Sequence, residues 1–387
     1  MSDYSLRIAW DEYIDPPREV YVMVGNGFDV ECGLPTRYGD FLTFLSAVER
    51  LNKNTCDELK DVDINANIKD ALLSCGKYDI WKPVVDNFWY KHFRNSELRL
   101  RWIDFEFEIS KVIQVVENSM DLRRYSKASM EDYISCYEGS EIARVMGNTL
   151  LMKEVIEEEV LQNGSKYLVF KYTYRDLRDK LLKDLNALIE GFEVYLRDFV
   201  ERIDVTPTDN IRFLMEKMRE SSERYVISFN YTTTFEGMLK EAGISAEFCY
   251  VHGKIGDANS KNRMVLGIDE HLGTEGIRNL IGYAPFRKYN QRIFKRTDSN
   301  YMDWIDNITE GEMIDRMLYI FGHSLGYTDK DIIGAFIQAN DMRSVIFYHS
   351  EDTFVDQVSN LTAIIGMDEM IRRTGGSTHT MEFRKQI

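Results

Sequence analysis

Val20-Tyr21-Val22-Met23-Val24-Gly25-Asn26-Gly27-Phe28-Asp29 is the stretch whose reading decides the fold. Its first five residues form an apolar, largely β-branched run, which predicts a strand buried on both faces of a parallel sheet. The run stops at Gly25. Glycines directly after a strand let backbone N–H groups approach a pyrophosphate closely. Gly25, Asn26, Gly27, Phe28 and Asp29 therefore read as a nucleotide-binding loop, although Val30 stands where the full G-x-G-x-x-G pattern has its third glycine. Beyond Pro35, the residues Tyr38, Phe41, Leu42, Leu45 and Val48 recur at helical spacing, with Thr36 as the expected N-cap. Strand, glycine turn and helix together make one half of a nucleotide-binding unit.

Further along, strand signals appear at 224–229, 247–251, 317–321 and 345–348. Three of these runs end in a short polar motif. In doubly wound sheets ligands bind at the carboxyl ends of the strands, so parallel strands would bring the motifs to one edge. Residues 51–220 differ: helical periodicity dominates, and Leu185, Leu188, Ile189, Phe192, Leu196, Phe199 and Ile203 make one apolar stripe. The expected architecture is an α/β, Rossmann-like, mostly parallel sheet. Its nucleotide-binding domain is discontinuous, residues 1–50 and 221–387, around a mainly helical insertion of residues 51–220. Residues 256–300 read as loops, and the polar tail after Arg372 as frayed.

The polar motifs supply the chemistry. Asn230, in Phe229-Asn230-Tyr231-Thr232, offers both a donor and an acceptor. That suits a carboxamide or a ribose hydroxyl, and equally an Asn that satisfies loop backbone. His252, in Val251-His252-Gly253, is the side chain best suited to accept a proton near neutrality. Gly322, His323 and Ser324 follow a strand and suit phosphate or ribose. Asp329 or Asp331 suits a ribose hydroxyl or, more ordinarily, the cap of the next helix.

Composition narrows the class. A net charge of −16 argues against a nucleic-acid-gripping surface. Cys32, Cys56, Cys75, Cys136 and Cys249 are odd in number and lack C-x-x-C spacing, which argues against a disulfide framework and a zinc ribbon. The first residues lack the basic start and apolar run of a signal peptide, and no window approaches the roughly 18 apolar residues of a membrane helix. A reducing cytoplasm is the expected compartment, with no metal and no membrane partner. Self-association is left open.

Taken in order, Gly25-Asn26-Gly27-Phe28-Asp29, Gly33-Leu34-Pro35-Thr36, Phe229-Asn230-Tyr231-Thr232, His252-Gly253 and Gly322-His323-Ser324-Leu325-Gly326 with Asp329 resemble the bacteriophage abortive-infection AbiH family. The same residues resemble the sirtuin-like NAD-binding core, whose Gly-Ala-Gly, Asn, His-Gly and Gly-Thr-Ser-Leu motifs they match. The resemblance implies NAD as ligand or substrate, an anti-phage role and a phage-derived trigger. It implies His252 as general base and Asn230 on the nicotinamide side or on the attacking water. Gly25, Asn26 and Gly27 would then carry the pyrophosphate, with Gly322 and Ser324 on the adenosine side. Thr232 stands where sirtuins have Asp, and no zinc-ribbon cysteines follow His252, so water rather than an acylated lysine is the expected acceptor. A nucleotide sensor without chemistry is the alternative from another class; the pairing of Asn230 with His252 favours the enzyme.

In the insertion, Glu106 falls on the apolar face made by Trp102, Phe105, Ile109, Val112, Ile113 and Val116. A carboxylate there must be paired, protonated or lining a cavity, with structural pairing favoured. Asp104 and Glu108 are expected on the solvated side.

Overall fold

Each residue of the β-branched run packs on alternate faces of one sheet, and both faces are core. The computed structural model describes residues 16–52, 62–76, 78–95, 105–120, 125–126, 156–160, 164, 166–170, 174–256, 260–268, 283–311, 314–376 and 379–387. In chain order its strands are β1 (Glu19–Val24), β2 (Tyr125–Ser126), β3 (Ile156–Val160), β4 (Lys166–Phe170), β5 (Glu223–Ser228), β6 (Glu247–Tyr250), β7 (Arg316–Phe321), β8 (Met342–Tyr348) and β9 (Met381–Lys385). Six of them form one sheet in the order β6-β5-β1-β7-β8-β9, and every pairing is parallel.

Two helical layers cover this sheet. Val20, Val22 and Val24 of β1 join Val226, Tyr319, Phe321 and Val345 on one face, with Ile211, Leu214 and Met218 of the helix Asp209–Glu220 and Phe235 and Leu239 of the helix Thr234–Glu241. Tyr21 and Met23 join Ile227, Leu318, Ile320 and Ile346 on the other face, with Trp304 and Ile308 of the helix Tyr301–Glu310 and Ile333 and Phe336 of the helix Lys330–Ile337. Burying one such aliphatic side chain contributes roughly 1.5–3 kcal/mol over leaving it exposed. A strand with two covered faces therefore has no polar alternation, which is why β1 and β7 read as unbroken apolar runs.

The chain forms two compact units. The sheet unit comprises Met1–Leu34, Ile203–Ile255 and Thr297–Ile387; the other comprises Pro35–Arg202 and Gly256–Arg296. These bounds differ from the expected 1–50, 51–220 and 221–387. The helix Asp209–Glu220 goes with the sheet because its buried stripe is sheet core. The polar tail is not frayed: β9 pairs with β8, Gln386 N–H donates to the Tyr348 carbonyl at 2.8 Å, and Ile387 N–H donates to Asn210 Oδ1 at 3.1 Å. Among the described residues no helix is long and apolar enough to cross a membrane.

The second unit is mainly helical, with the antiparallel sheet β2-β4-β3 added to it. Its helices include Tyr38–Asn52, Ala66–Cys75, Phe88–Asn95, Phe105–Met120 and Tyr174–Tyr195, the last continuing into a π turn over Leu196–Val200. The first of these is capped one residue later than expected. Arg37, not Thr36, precedes it, and Arg37 N–H donates to Asp40 Oδ2 at 2.9 Å, one half of a capping box. Stacked rings hold the helices: Phe105 lies 4.3 Å from Tyr38 and 4.1 Å from Phe93 by ring centroids.

Residues 288–295, read as loop, form a helix whose polar side is the buried one. Gln291 donates to the carbonyls of Leu266 at 2.9 Å and Pro285 at 3.2 Å, while its Oε1 accepts from Leu266 N–H at 3.1 Å. Burial pulls the Lys295 ammonium of the same helix down to about 8.

Glu106 is paired: Lys288 Nζ lies 2.8 Å from its Oε2. Glu108 is not solvated. It is buried between Lys111 Nζ at 3.0 Å and His92 Nε2 at 3.6 Å, because this helix is covered on more than its apolar stripe. Asp104 lies outside the described residues. Removing one partner of a buried pair leaves the other charge uncompensated, at a cost of about 3–5 kcal/mol. Glu106→Gln is therefore expected to lower the thermal unfolding temperature clearly, and Glu106→Leu combined with Lys288→Met to restore most of the loss. Equal melts for wild type and Glu106→Gln would show that the pair contributes nothing.

Candidate functional site

The register of the sheet brings the motifs to one edge. Val24 lies opposite Ser228 on one side and Phe321 on the other, and Ser228 lies opposite Tyr250. The chain therefore leaves β1 at Gly25, β5 at Phe229, β6 at Val251 and β7 at Gly322 on a common level.

At β1 and β7 the two exits interlock. Gly25 N–H donates to the Phe321 carbonyl at 3.1 Å, Gly27 N–H to the Gly322 carbonyl at 2.8 Å, and Phe28 N–H to the Gly25 carbonyl at 2.8 Å. A Cβ on Gly27 would stand 2.7 Å from Gly322 Cα, and one on Gly25 would stand 2.7 Å from the Gly322 oxygen. Gly322 has φ +67°, and a Cβ there would stand 2.2 Å from the Phe28 nitrogen. These glycines thus serve the approach of two backbones to each other. Of Gly25, Asn26 and Gly27, the residues expected at a pyrophosphate, the two glycines have their amides on carbonyl acceptors, as does Phe28.

Phe28 and Asp29 also turn inward. The Phe28 ring is core, 4.8 Å from Phe235 and 6.1 Å from Phe321, so it presents no face to a ligand. Asp29 is buried, and its Oδ2 accepts from Thr232 Oγ1 at 2.7 Å. That bond ties the loop after β5 to the first turn after β1. Burial, helped by Asp29 and Glu31, pushes the neighbouring Cys32 thiol up to about 12, which disqualifies it as a thiolate nucleophile at neutral pH.

Asn230 is held by its backbone. Its N–H donates to Ser228 Oγ at 3.2 Å, and that hydroxyl donates to the Asn230 carbonyl at 3.3 Å. The side chain sits in a residue only 6% exposed, and its Oδ1 has no hydrogen-bond donor among the described residues. A buried carbonyl oxygen without a donor costs roughly 1–3 kcal/mol.

His252 and His323 flank one carboxylate. His252 Nε2 lies 3.2 Å from Asp329 Oδ1, and His323 Nε2 lies 3.8 Å from Asp329 Oδ2. Both imidazoles and the carboxylate are buried. Phe229 walls the cluster, its ring centroid 5.5 Å from His252 and 4.2 Å from His323. His323 Nδ1 accepts from Leu325 N–H at 3.0 Å, so both of its ring nitrogens face protein groups. Asp329 occupies the N-cap position of the helix Lys330–Ile337, yet its side chain makes no capping bond. Its partnership with the histidines was invisible in sequence, where capping was the expected role. Nearby, Glu236 is pushed up by burial but held below its usual range by Tyr250 Oη at 2.7 Å and Lys254 Nζ at 3.0 Å.

The remaining expected residues are less central. Asn26 opens the helix Asn26–Glu31 and is half-buried. Ser324 is exposed, and its carbonyl accepts from Asn360 Nδ2 at 3.0 Å. Thr36 is buried in the second compact unit. Sequence reasoning missed Gln357, whose amide donates to the His323 carbonyl at 3.0 Å and the Phe347 carbonyl at 3.1 Å and so holds the loop after β7. A separate cleft, lined by Asp315, Asp341, Arg343, Glu369 and Arg373, lies at the opposite, amino end of β7 and β8. Its cations are spent on its own acids, Arg343 on Asp315 and Arg373 on Glu369. Among the described residues no group of three His, Cys, Asp or Glu is arranged to hold a metal ion.

A family model described as bacteriophage abortive infection AbiH matches residues 20–349. That span runs from the second residue of β1 to just past β8 and includes every expected site residue. No curated protein matches the chain.

The interlocked glycines generate a direct test. Gly322→Ala must accept a left-handed φ, at about 1–2 kcal/mol, and push aside the first turn after β1, at about 1–3 kcal/mol more. The expected result is a drop of several degrees in the unfolding temperature. An unchanged melt would show that the two loops do not meet in this way.

Proposed function

The chain belongs to the bacteriophage abortive infection AbiH family, which gives it a role in phage defence, and from that premise we propose that it binds NAD and hydrolyses it to nicotinamide and ADP-ribose. The observation that carries this reading is the pairing, on one sheet edge, of a buried acceptor with a buried base. Asn230 Oδ1 lacks a donor among the described residues, and His252 stands against a carboxylate two residues past β6. Carboxamide N–H groups and ribose hydroxyls are the donors that Asn230 would take. An all-parallel sheet with helices on both faces, and polar loops at its carboxyl ends, supports a doubly wound, sirtuin-like core.

In this mechanism Asn230 orients the nicotinamide end or the attacking water. His252 takes a proton from water as its oxygen bonds to the ribose anomeric carbon. The C–N glycosidic bond breaks, its electron pair neutralises the pyridinium nitrogen, and the proton passes from His252 to solvent. Removing a general base typically lowers turnover by about 10²–10⁴-fold. Because the amides of Gly25, Gly27 and Phe28 are engaged, recognition rests more on side chains and on the loop after β7.

His252→Ala is expected to cut NAD consumption by about 10²–10⁴-fold in a protein that melts as wild type does, and Asn230→Ala to lose both affinity and rate. An undiminished rate in folded His252→Ala removes His252 from the mechanism. If both variants bind NAD normally and the wild type never consumes it, the chain is a nucleotide sensor. No step above calls on a metal, so turnover is expected to survive a chelator; chelator-sensitive turnover would require a different route.

A further inference from the structure

Asp329 stands where a helix N-cap belongs, and an Asp there ordinarily accepts an N–H from the first turn. Here it makes no such bond, although its backbone is held in place by its N–H donating to the Gly326 carbonyl at 3.1 Å. Its side chain turns to His252 and His323. We propose that Asp329 is the positioning residue of His252: its carboxylate holds the imidazole with the proton on Nε2 and leaves Nδ1 as the basic atom, while His323 steadies the carboxylate from its other oxygen. This rests on the reading of His252 as the base.

Three observations carry the assignment. A carboxylate only accepts, so a ring nitrogen 3.2 Å from Asp329 Oδ1 is the protonated one. The lone pair of a neutral His252 then sits on Nδ1. Second, His323 is fixed in the matching tautomer. Its Nδ1 accepts from Leu325 N–H at 3.0 Å, so its proton is on Nε2, the nitrogen that faces Asp329 Oδ2 at 3.8 Å. At that distance it contributes field rather than a hydrogen bond. Third, the loop bears strain to aim that N–H. Leu325 is a fully buried, non-glycine residue at φ +56°, a conformation that costs about 1–2 kcal/mol. Strain of this kind persists where the surroundings over-determine it, and Gln357 supplies that hold through the His323 carbonyl.

The arrangement has the logic of an acid–base dyad in which a buried carboxylate selects one imidazole tautomer. It separates two roles that the sequence left together on Asp329, ribose binding and helix capping, and replaces both.

The test uses the full chain, selectively ¹⁵N-labelled at histidine. Long-range ¹H–¹⁵N spectra report which ring nitrogen of His252 carries the proton, whether or not NAD is turned over. In wild type His252 is expected to carry it on Nε2. Asp329→Asn presents an amide that can donate, so the Nδ1-protonated tautomer of His252 is expected to rise. The kcat for NAD is expected to fall by about 10²–10⁴-fold with KM little changed, as for loss of a base held in the wrong tautomer. Should Asp329→Asn fail to fold, Asp329→Ser keeps a good capping side chain at that position and is expected to show the same kcat loss. Wild-type spectra with the proton on Nδ1, or a folded variant in which neither tautomer nor kcat moves, overturn the proposal. If NAD is consumed and only the tautomer stays put, Asp329 is structural while His252 remains the base. If wild type consumes no NAD but the tautomer shifts, the positioning stands and the hydrolase reading falls.

Discussion

Two backbones meet at the ends of β1 and β7 with no room for a side chain between them. At Gly322, φ +67°, a Cβ would stand 2.2 Å from the Phe28 nitrogen, and Gly27 N–H closes on the Gly322 carbonyl at 2.8 Å. This contact sets where the first turn after β1 begins, and so where Asp29 reaches Thr232. It equally sets where the loop after β7 runs, and so where His323, Leu325 and Asp329 fall relative to His252. An alanine at any of the three glycines would part these loops. The glycine pattern of the sequence is thus explained by loop-to-loop packing before any ligand is considered.

The strand-end site is costly to build, and the fold meets that cost locally. Asp29, Thr232, Asn230, His252, His323 and Asp329 are all less than a tenth exposed. Buried polar groups are tolerated when they are hydrogen-bonded or charge-compensated. Asp29 has Thr232, and Asp329 has an imidazole on each oxygen. Asn230 Oδ1 is one of several buried oxygens, Gln357 Oε1 among them, that no hydrogen-bond donor of the described residues reaches.

Much of the sheet was legible because strands covered on both faces announce themselves as apolar runs, and β1, β5, β7 and β8 do so. The polar motifs were legible because they follow those runs directly. The features that escaped are ones whose partners lie far away in sequence. β9 is an edge strand, with Met381 buried and Glu382 and Arg384 paired to each other, so its composition reads as polar tail. The helix Lys288–Lys295 buries Lys288 and Gln291 and exposes Tyr289, Ile293 and Phe294, the reverse of the usual pattern, so apolar periodicity hides it. Glu108 was misplaced because His92 and Lys111 compensate it inside. Asp329 looked like a cap because its position along the chain is a cap; only the fold shows its side chain turned to the two histidines.

The proposed function places NAD at the carboxyl edge of the sheet, at Asn230 and His252. A crystal of the protein soaked with a non-hydrolysable NAD analogue tests it most directly. The expected density has the carboxamide or ribose within hydrogen-bonding distance of Asn230 Oδ1 and the nicotinamide ribose against His252. Density in the cleft at the opposite edge, beside Arg343 and Arg373, or an analogue that leaves Asn230 and His252 untouched, would contradict it.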